Sequence, residues 1–277
     1  MSLFVEQHAT PSAFSSAPWV ILTPTEQRIK EKIEAVGTPL KDWDIQIYRG
    51  VLTGCNEAFI IDTAKRDEIL ANCQTEEERR RTEALIRPIL RGRDIRRYGY
   101  EDNGLYLINT HNGIKGKFPP IYIKDYPAIK AHLDQYWDKI SVRADKGDTP
   151  YNLRNCAYLD LFFQPHICWK AVGRNLAFAL VSSGVFLTAP ASFISGGIYN
   201  ETILHYLCSP VGKYFIYTHS DTTGAGDIML NIQSLIRFPI PIGILDTKGL
   251  SESEIKRAIY KAYGFTREEI GYIECSI

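Results

Sequence analysis

The chain has 277 residues, which is enough for one large domain with an appendage or for two unequal domains. Its 32 basic and 32 acidic side chains cancel, so the total charge predicts no polyanionic partner, and an apolar content of 45% indicates a globular protein. The sequence has no secretory signal pattern and no uninterrupted apolar stretch of membrane-spanning length, so we expect a cytoplasmic protein with no membrane partner.

The first predicted elements are a leader and a short helix. Residues 1–22 are rich in Ser, Ala and Pro without a sustained period, which predicts a flexible leader. Thr23 and Glu26 have capping-box spacing around Pro24, and Gly37 can end the helix. The folded part is therefore expected to begin at Thr23.

The next segment combines strands with a second helix. Residues 44–62 alternate apolar and polar side chains on both sides of a polar turn at 53–56, which predicts a hairpin. Thr75 and Glu78 form another capping-box pattern, and Pro88 should interrupt the helix that follows. Short strands are predicted at 105–109 and 121–124.

The second half of the chain predicts a sheet followed by helices. A helical stripe covers 127–140, a polar loop covers 141–155, and short apolar runs at 166–195 favour an antiparallel sheet. A helix is expected from Asn200 to about Tyr217, and two capping boxes predict a helical hairpin from 251 to 275. The predicted fold class is α+β, a mixed and mainly antiparallel sheet with peripheral helices, divided into a domain at 23–245 and a helical tail at 246–277.

Arginines are concentrated in one short stretch of the neutral chain. Residues 79–97 contain eight arginines and only Glu83 and Asp94 as acids, a local charge of +6. Such a cluster is the electrostatic footprint of a nucleic-acid contact. For Arg79, Arg80 and Arg81 a solvated helix face paired with nearby glutamates is the favoured interpretation, and an internal Arg93–Asp94 salt bridge could order the turn that follows.

Further basic and polar side chains occur on predicted loops. Arg and Lys can neutralise phosphates, and planar donors such as Arg and Asn can also read base edges. The candidates are Arg49 beside the turn at 53–56, Lys115 and Lys117 on either side of Gly116, and a loop that holds Arg143, Lys146, Tyr151, Asn152 and Arg154. Their mixture of charged and planar side chains is typical of sequence-reading surfaces.

Catalytic motifs are not found. Phe118-Pro119-Pro120 lacks the polar first residue of an amino-methyltransferase site, and the sequence has no dinucleotide loop, Walker loop or metalloprotease motif. The six cysteines have no metal-site spacing, so reduced thiols are expected and no metal is predicted. An enzyme with a site assembled from His111, His166, Asp160 or Glu57 stays open as an alternative.

Three ordered motifs resemble a known family. Residues 49–59 (RGVLTGCNEAF), 87–98 (RPILRGRDIRRY) and 149–154 (TPYNLR) resemble the TaqI-like C-terminal specificity domain of type IIG restriction-modification enzymes and adenine-specific DNA methyltransferases. The likeness extends from about Trp43 to Pro241 and includes the tail at 263–274. In that family the domain binds DNA and presents one adenine to a methyltransferase domain that uses S-adenosylmethionine.

The resemblance implies a division of labour. The chain would recognise double-stranded DNA and would not be an enzyme on its own, because it lacks the catalytic motif and the cofactor loop of the methyltransferase domain. S-adenosylmethionine, and Mg²⁺ if the parent enzyme cleaves, would belong to that domain, in the same chain or in a partner. Motifs shared by enzymes of different specificity should position phosphates or hold the fold. The resemblance therefore implies that less familiar loops read the bases, including 109–117, 143–154 and the pair Arg174 and Asn175.

Two other functions remain open beside this one. The chain could be a specificity subunit of a type I-like system, or a module whose tail at 251–277 docks on another subunit. The predicted DNA-binding residues are Arg49, Thr53, Asn56, Arg91, Arg93, Arg96, Arg97, Lys115, Lys117, Arg143, Lys146, Tyr151, Asn152, Arg154 and Arg174.

Overall fold

A computed structural model describes residues 22–197, 200–241, 247 and 249–277. These residues divide into two compact units, a larger one at 45–200 and a smaller one that joins 22–44 to the described part of 201–277. The predicted leader lies almost wholly outside the described residues, and so does the predicted boundary at 245–246. The predicted division into leader, domain and tail therefore stays a prediction.

The helices and strands confirm the predicted α+β class. The helices are α1 (Pro24–Val36), α2 (Asn56–Phe59), α3 (Thr63–Ala71), α4 (Glu76–Leu85), α5 (Pro127–Asp134), α6 (Trp137–Ile140), α7 (Asn200–Cys208), α8 (Pro210–His219), α9 (Ile232–Leu235), α10 (Glu252–Tyr263) and α11 (Arg267–Cys275). The strands are β1 (Gly37–Pro39), β2 (Gln46–Arg49), β3 (Ile60–Asp62), β4 (Ile86–Leu90), β5 (Leu105–Ile108), β6 (His166–Trp169), β7 (Val172–Gly173), β8 (Phe178–Val181), β9 (Phe186–Leu187), β10 (Ser192–Ser195), β11 (Asp221–Thr222), β12 (Ile228–Met229) and β13 (Pro239–Pro241).

The larger unit contains two four-stranded sheets. One has the order β2-β10-β6-β8 and is antiparallel throughout. The other has the order β3-β5-β4-β9, with antiparallel pairs except for the parallel pair β4–β9. The core includes Phe162, which stacks on Phe186 at 4.5 Å and lies 4.6 Å from Phe193. The prediction of a mixed, mainly antiparallel fold is confirmed.

The smaller unit is built on helices. The predicted capping box of α1 forms, with Thr23 accepting from the Glu26 amide, and Ile29 and Ile33 are buried. Helices α10 and α11 form the predicted C-terminal hairpin, and the buried Tyr263 hydroxyl donates to the Pro239 carbonyl at 2.7 Å. Strand β1 pairs with β13, and β11 with β12, both antiparallel. The apolar face of the tail is thus covered within this unit.

The hairpin predicted around residues 53–56 is wrong. Strands β2 and β3 lie in different sheets, and residues 56–59 form the helical turn α2 between them. The Thr53 hydroxyl donates to the Asn56 side chain at 2.5 Å, while Ala58 and Phe59 are buried by the turn. The alternation of apolar and polar side chains predicted that strands form here. Which strand each one pairs with depends on contacts between segments that are distant in sequence.

Two further local predictions need correction. Residues 121–124 form no strand, and Ile123–Asp125 is a 3-10 turn, because the preceding prolines at 119 and 120 have no amide to donate to a ladder. The single helix predicted from 200 to 217 is two helices, since the Ser209 side chain caps α8 and Pro210 begins it.

None of the helices in the described residues combines the length and the apolar character that a membrane span requires.

Candidate nucleic-acid interface

The arginine-rich segment forms a strand followed by a braced turn. Strand β4 ends at Leu90, and residues 92–94 make one 3-10 turn. The Asp94 carboxylate is 3% exposed and accepts from the Arg91 amide at 2.8 Å, from Arg91 Nε and Nη2 at 3.0 Å each, and from Asn103 at 3.0 Å. The internal salt bridge is therefore Arg91–Asp94, and the predicted Arg93–Asp94 pair is wrong.

The hydrogen bonds from Arg91 determine the protonation state of the Asp94 carboxyl group. Burial by itself would raise the pKa of the Asp94 carboxyl, but the hydrogen bonds from the Arg91 side chain and backbone outweigh it and lower the pKa. The carboxylate is thus ionised at neutral pH, and Arg91 is held by it. Arg91 stabilises the turn.

The other arginines in and just after the turn, Arg93, Arg96 and Arg97, are exposed. Arg96 makes a bidentate pair with Glu101, with distances of 3.0 and 2.7 Å, and also donates to the Arg93 carbonyl at 2.6 Å. Arg97 lies over the Tyr98 ring at 4.7 Å, and Tyr98 has a φ of 67°. Arg93 is exposed, and its charge adds to the lowering of the Asp94 pKa. The turn therefore presents guanidinium groups on a fixed backbone.

Arg143 is buried inside the larger unit. It is 6% exposed, donates to the carbonyls of Thr53, Pro150 and Asn152, and its guanidinium lies 4.2 Å from the centre of the Phe59 ring. Burial lowers the pKa of Arg143, although Cys55 and Asp145 offset part of that shift. The side chain ties the 149–154 motif to the 49–59 motif.

Three other residues predicted to contact DNA make hydrogen bonds within the protein. Thr53 and Asn152 are 3% and 4% exposed, and Asn152 donates to the Ile121 carbonyl at 3.0 Å. Tyr151 donates to Asp134 at 2.6 Å and packs beside Trp137 at 5.4 Å between ring centres. We therefore omit Thr53, Arg143 and Asn152 from the proposed DNA surface. Asn56 is exposed beside them.

The loops carry the other predicted side chains at the surface. Lys117 is paired with Asp160, Arg154 with Asp145 at 2.7 Å, and Lys146 donates to the Ser141 carbonyl at 2.9 Å. Lys115 and Arg174 are exposed. The ion pairs here are solvent-exposed and weak, so DNA phosphates could compete for these cations.

A cleft in the larger unit brings distant parts of the sequence together. Its volume is about 280 Å³, and its lining includes Arg49, Asn109, His111, Arg154 and Tyr158. Burial lowers the pKa of His111 to about 4, so the ring is neutral at pH 7. Tyr158 stacks on Tyr48 with ring centres 4.0 Å apart, which fixes one wall. Tyr158 was not predicted, since no local pattern distinguishes it from a core tyrosine.

The four residues of the alternative enzyme site have separate partners. Asp160 is paired with Lys117, Glu57 with Lys139 at 2.7 Å, and the buried His166 contacts the Gln164 carbonyl at 2.9 Å. In the described residues, no group of three or more His, Cys, Asp or Glu side chains is arranged to hold a metal ion.

Comparisons with known proteins identify the fold. No family model matches the sequence, and no curated protein matches it. The structure is similar to the type IIL restriction-modification enzyme MmeI in complex with DNA, with a TM-score of 0.59, 12% identity, and coverage of 85% of this chain and 35% of that chain. It was also compared with the type IIG restriction endonuclease BpuSI, with a TM-score of 0.49, 14% identity, and coverage of 87% and 28%. The chain spans about a third of the length of MmeI, and it shares its fold with that part of a restriction-modification enzyme.

Proposed function

We propose that the chain is the DNA target recognition part of a type IIG-like restriction-modification enzyme, equivalent to the TaqI-like specificity domain that its motifs resemble. The observation that carries the proposal is the fold shared with part of MmeI, an enzyme solved in complex with DNA. The structure of MmeI has implications for engineering new specificities. A domain that reads a DNA sequence fits both the likeness and the motifs.

The surface of the larger unit supports this function. Arg49, Arg93, Arg97 and Lys115 are exposed, and exposed cations on a neutral chain attract phosphates locally. The turn that carries Arg93 and Arg97 is braced from inside by Arg91 and Asp94. Phosphate contacts fix the orientation of a protein on DNA, so a braced turn suits that role.

The proposal includes a division of labour with other domains. This chain would bind double-stranded DNA and would not catalyse by itself. A methyltransferase domain, in the same chain or in a partner, would bind S-adenosylmethionine and modify the adenine, and Mg²⁺ would serve a cleavage domain where one exists. Such an enzyme acts on DNA, and we place it in the cytoplasm.

The test is DNA binding by the purified chain. Anisotropy titrations with labelled duplex DNA should give binding that weakens as salt rises, because bound cations release counterions from the phosphates. Selection from a pool of random duplexes should enrich one short sequence. Binding without salt dependence, or a pool that stays random after selection, would contradict sequence recognition.

The alternative functions give different results. A type I-like specificity subunit should enrich a target with two separated half-sites, since such subunits carry two recognition domains. An independent enzyme should turn over a substrate as the purified chain alone. A module that docks through its tail should lose partner binding when residues 251–277 are removed.

A further inference from the structure

The arginine-rich segment ends in a tight hairpin at residues 95–100, which we call the Arg97 hairpin. The Arg96 amide donates to the Gly99 carbonyl at 2.8 Å, and the Gly99 amide donates to the Arg96 carbonyl at 3.3 Å. Residues 95 and 100 pair antiparallel beside this turn. Arg97 and Tyr98 are therefore the two central residues of a two-residue hairpin loop.

Tyr98 has a backbone conformation that glycine or asparagine would adopt more easily. Its φ of 67° lies in the left-handed region, and no other non-glycine residue in the described part of the chain has a positive φ. In this region the Cβ of an L-residue comes too close to the following carbonyl oxygen. Turns with a positive φ at the second central position therefore favour Gly or Asn. A tyrosine in this conformation points to a role for its ring.

The surrounding structure holds Tyr98 in this conformation. Its amide donates to the Phe178 carbonyl at 2.8 Å, and Tyr98 forms a parallel bridge with Ala179. Both partners lie in β8, at one end of the antiparallel four-stranded sheet. The Arg97 hairpin is therefore tied to the sheet through the residue whose backbone is strained.

The ring of Tyr98 lies against the guanidinium of the exposed Arg97. The Cζ atom of Arg97 is 4.7 Å from the centre of that ring, which is a cation–π contact. An arginine side chain loses rotamer freedom when it binds, and a contact that already restricts it reduces this loss. The N–H groups lie in the plane of the guanidinium, so a ring against its face does not cover the edge that matches phosphate oxygens.

We propose that Tyr98 is a positioning residue for DNA binding, and that its ring holds the Arg97 guanidinium for contact with one phosphate of the duplex. The inference rests on the proposed function, because it assumes that the chain binds DNA. A phosphate contact orients the protein and carries no sequence information. Tyr98 thus contributes to affinity and not to the choice of target.

The experiment removes the ring and keeps the backbone conformation. Tyr98→Asn and Tyr98→Gly both adopt the left-handed region readily, and neither has a ring. Each should weaken binding of a labelled duplex about fivefold in anisotropy titrations with the purified full chain. Tyr98→Phe keeps the ring, so its affinity should stay within about twofold of the unaltered protein. Tyr98→Gly also relieves the backbone strain, and thermal unfolding verifies that the variants are folded.

A second background separates positioning from support of the fold. Arg97→Ala should weaken binding about tenfold for all duplexes alike and reduce the slope of log K against log salt by about 1. In the Arg97→Ala protein, Tyr98→Asn should cause no further loss of affinity, because the ring then has no guanidinium to hold. A tyrosine that only supported the fold would cause the same loss in both backgrounds.

Lys213 and Tyr217 supply a matched control in the smaller unit. The Lys213 ammonium lies 5.3 Å from the centre of the Tyr217 ring, so this pair has the same kind of contact. Tyr217→Asn should leave the affinity for the duplex unchanged. A loss as large as that of Tyr98→Asn would contradict a specific role for the Arg97 hairpin.

The outcomes separate this inference from the proposed function. Unchanged binding by Tyr98→Asn and Tyr98→Gly, or an equal loss from Tyr98→Asn with and without Arg97, overturns Tyr98 as a positioning residue while DNA recognition stands. A changed sequence preference in Arg97→Ala overturns the phosphate contact. Failure of the unaltered protein to bind any duplex overturns the proposed function, and this inference with it.

Discussion

Burial separates the arginines of this chain into two groups with different roles. Arg143 is enclosed and donates to three carbonyls, and Arg91 is held by the buried Asp94. Arg49 and Arg93 are exposed. Because Arg143 is enclosed and Arg91 is paired with a buried carboxylate, the first group stabilises the fold, whereas the second group is available to DNA.

Asp94 should contribute to stability in a pH-dependent way. Asp94→Asn removes the charge that Arg91 meets, and we expect a loss of about 2 kcal/mol in the free energy of unfolding at neutral pH. Because the folded pKa is lowered, the contribution is complete above the unfolded pKa of about 3.9 and is lost as the pH falls through the folded value. Urea unfolding at neutral pH and near pH 3 should show the difference between the two proteins shrinking in acid.

The exposed pair beside this turn supplies the control. Glu101→Gln breaks the ion pair with Arg96. The side chains of Arg96 and Glu101 are 51% and 57% exposed, so the loss in the free energy of unfolding should stay below about 1 kcal/mol. Equal losses in the free energy of unfolding for the two substitutions would show that Asp94 contributes no more to stability than an exposed ion pair does.

Arg143 should be required for the stability of the fold and not for contact with DNA. Arg143→Met keeps the length of the side chain but leaves the carbonyls of Thr53, Pro150 and Asn152 without their donor. We expect a loss of about 3 kcal/mol in the free energy of unfolding. Arg143→Lys should not restore it, because an ammonium cannot reproduce the planar fork of donors.

An exposed arginine of the same unit tests whether burial is the cause. Arg154→Met removes a surface pair with Asp145, and its effect should be below about 1 kcal/mol. Urea unfolding of the three variants measures these losses. A stable Arg143→Met protein with weak DNA binding would instead make Arg143 a contact residue.

At the scale of the elements, helix starts were more predictable than strand partners. The boxes at Thr23, Ser251 and Thr266 form as predicted, because each depends on residues within three positions. At Thr75 the predicted box is incomplete, because the Glu78 carboxylate accepts from the amides of Gln74 and Ala128. Strand pairing depends on distant segments, and so the hairpin at 53–56 was wrong although both strands exist.

The segment after β2 depends on close backbone packing. The Gly50 amide donates to the Ala191 carbonyl at 2.8 Å, and a Cβ at this position would lie 2.5 Å from the Leu187 carbonyl oxygen. Gly50→Ala should therefore force the two backbones apart, with a loss of about 1–3 kcal/mol. Gly99→Ala is the matched control, because a Cβ there meets nothing within 4 Å. Thermal unfolding that lowers the Tm of both variants equally would contradict the packing argument.

At the scale of the whole molecule, the sequence predicted the fold class but not the cleft. Composition and periodicity indicated α+β, and the fold confirms it. The cleft joins Arg49 to Arg154, which are far apart in sequence, and no local pattern shows that these loops meet. Burial of Arg143 and Asn152 was equally hidden, since charged and amide side chains are mostly exposed elsewhere.

The neutral total charge makes the salt dependence of DNA binding a test of single side chains. With 32 basic and 32 acidic residues, attraction to DNA must come from local cations rather than from the whole protein. If Arg93 neutralises one phosphate, Arg93→Ala should weaken binding to all duplexes alike and reduce the slope of log K against log salt by about 1. Anisotropy titrations at several salt concentrations measure that slope. Arg257→Ala, which removes an exposed arginine of the smaller unit, should leave the slope unchanged. An altered sequence preference in Arg93→Ala would instead assign this arginine to base reading, and the braced turn would then help to set specificity.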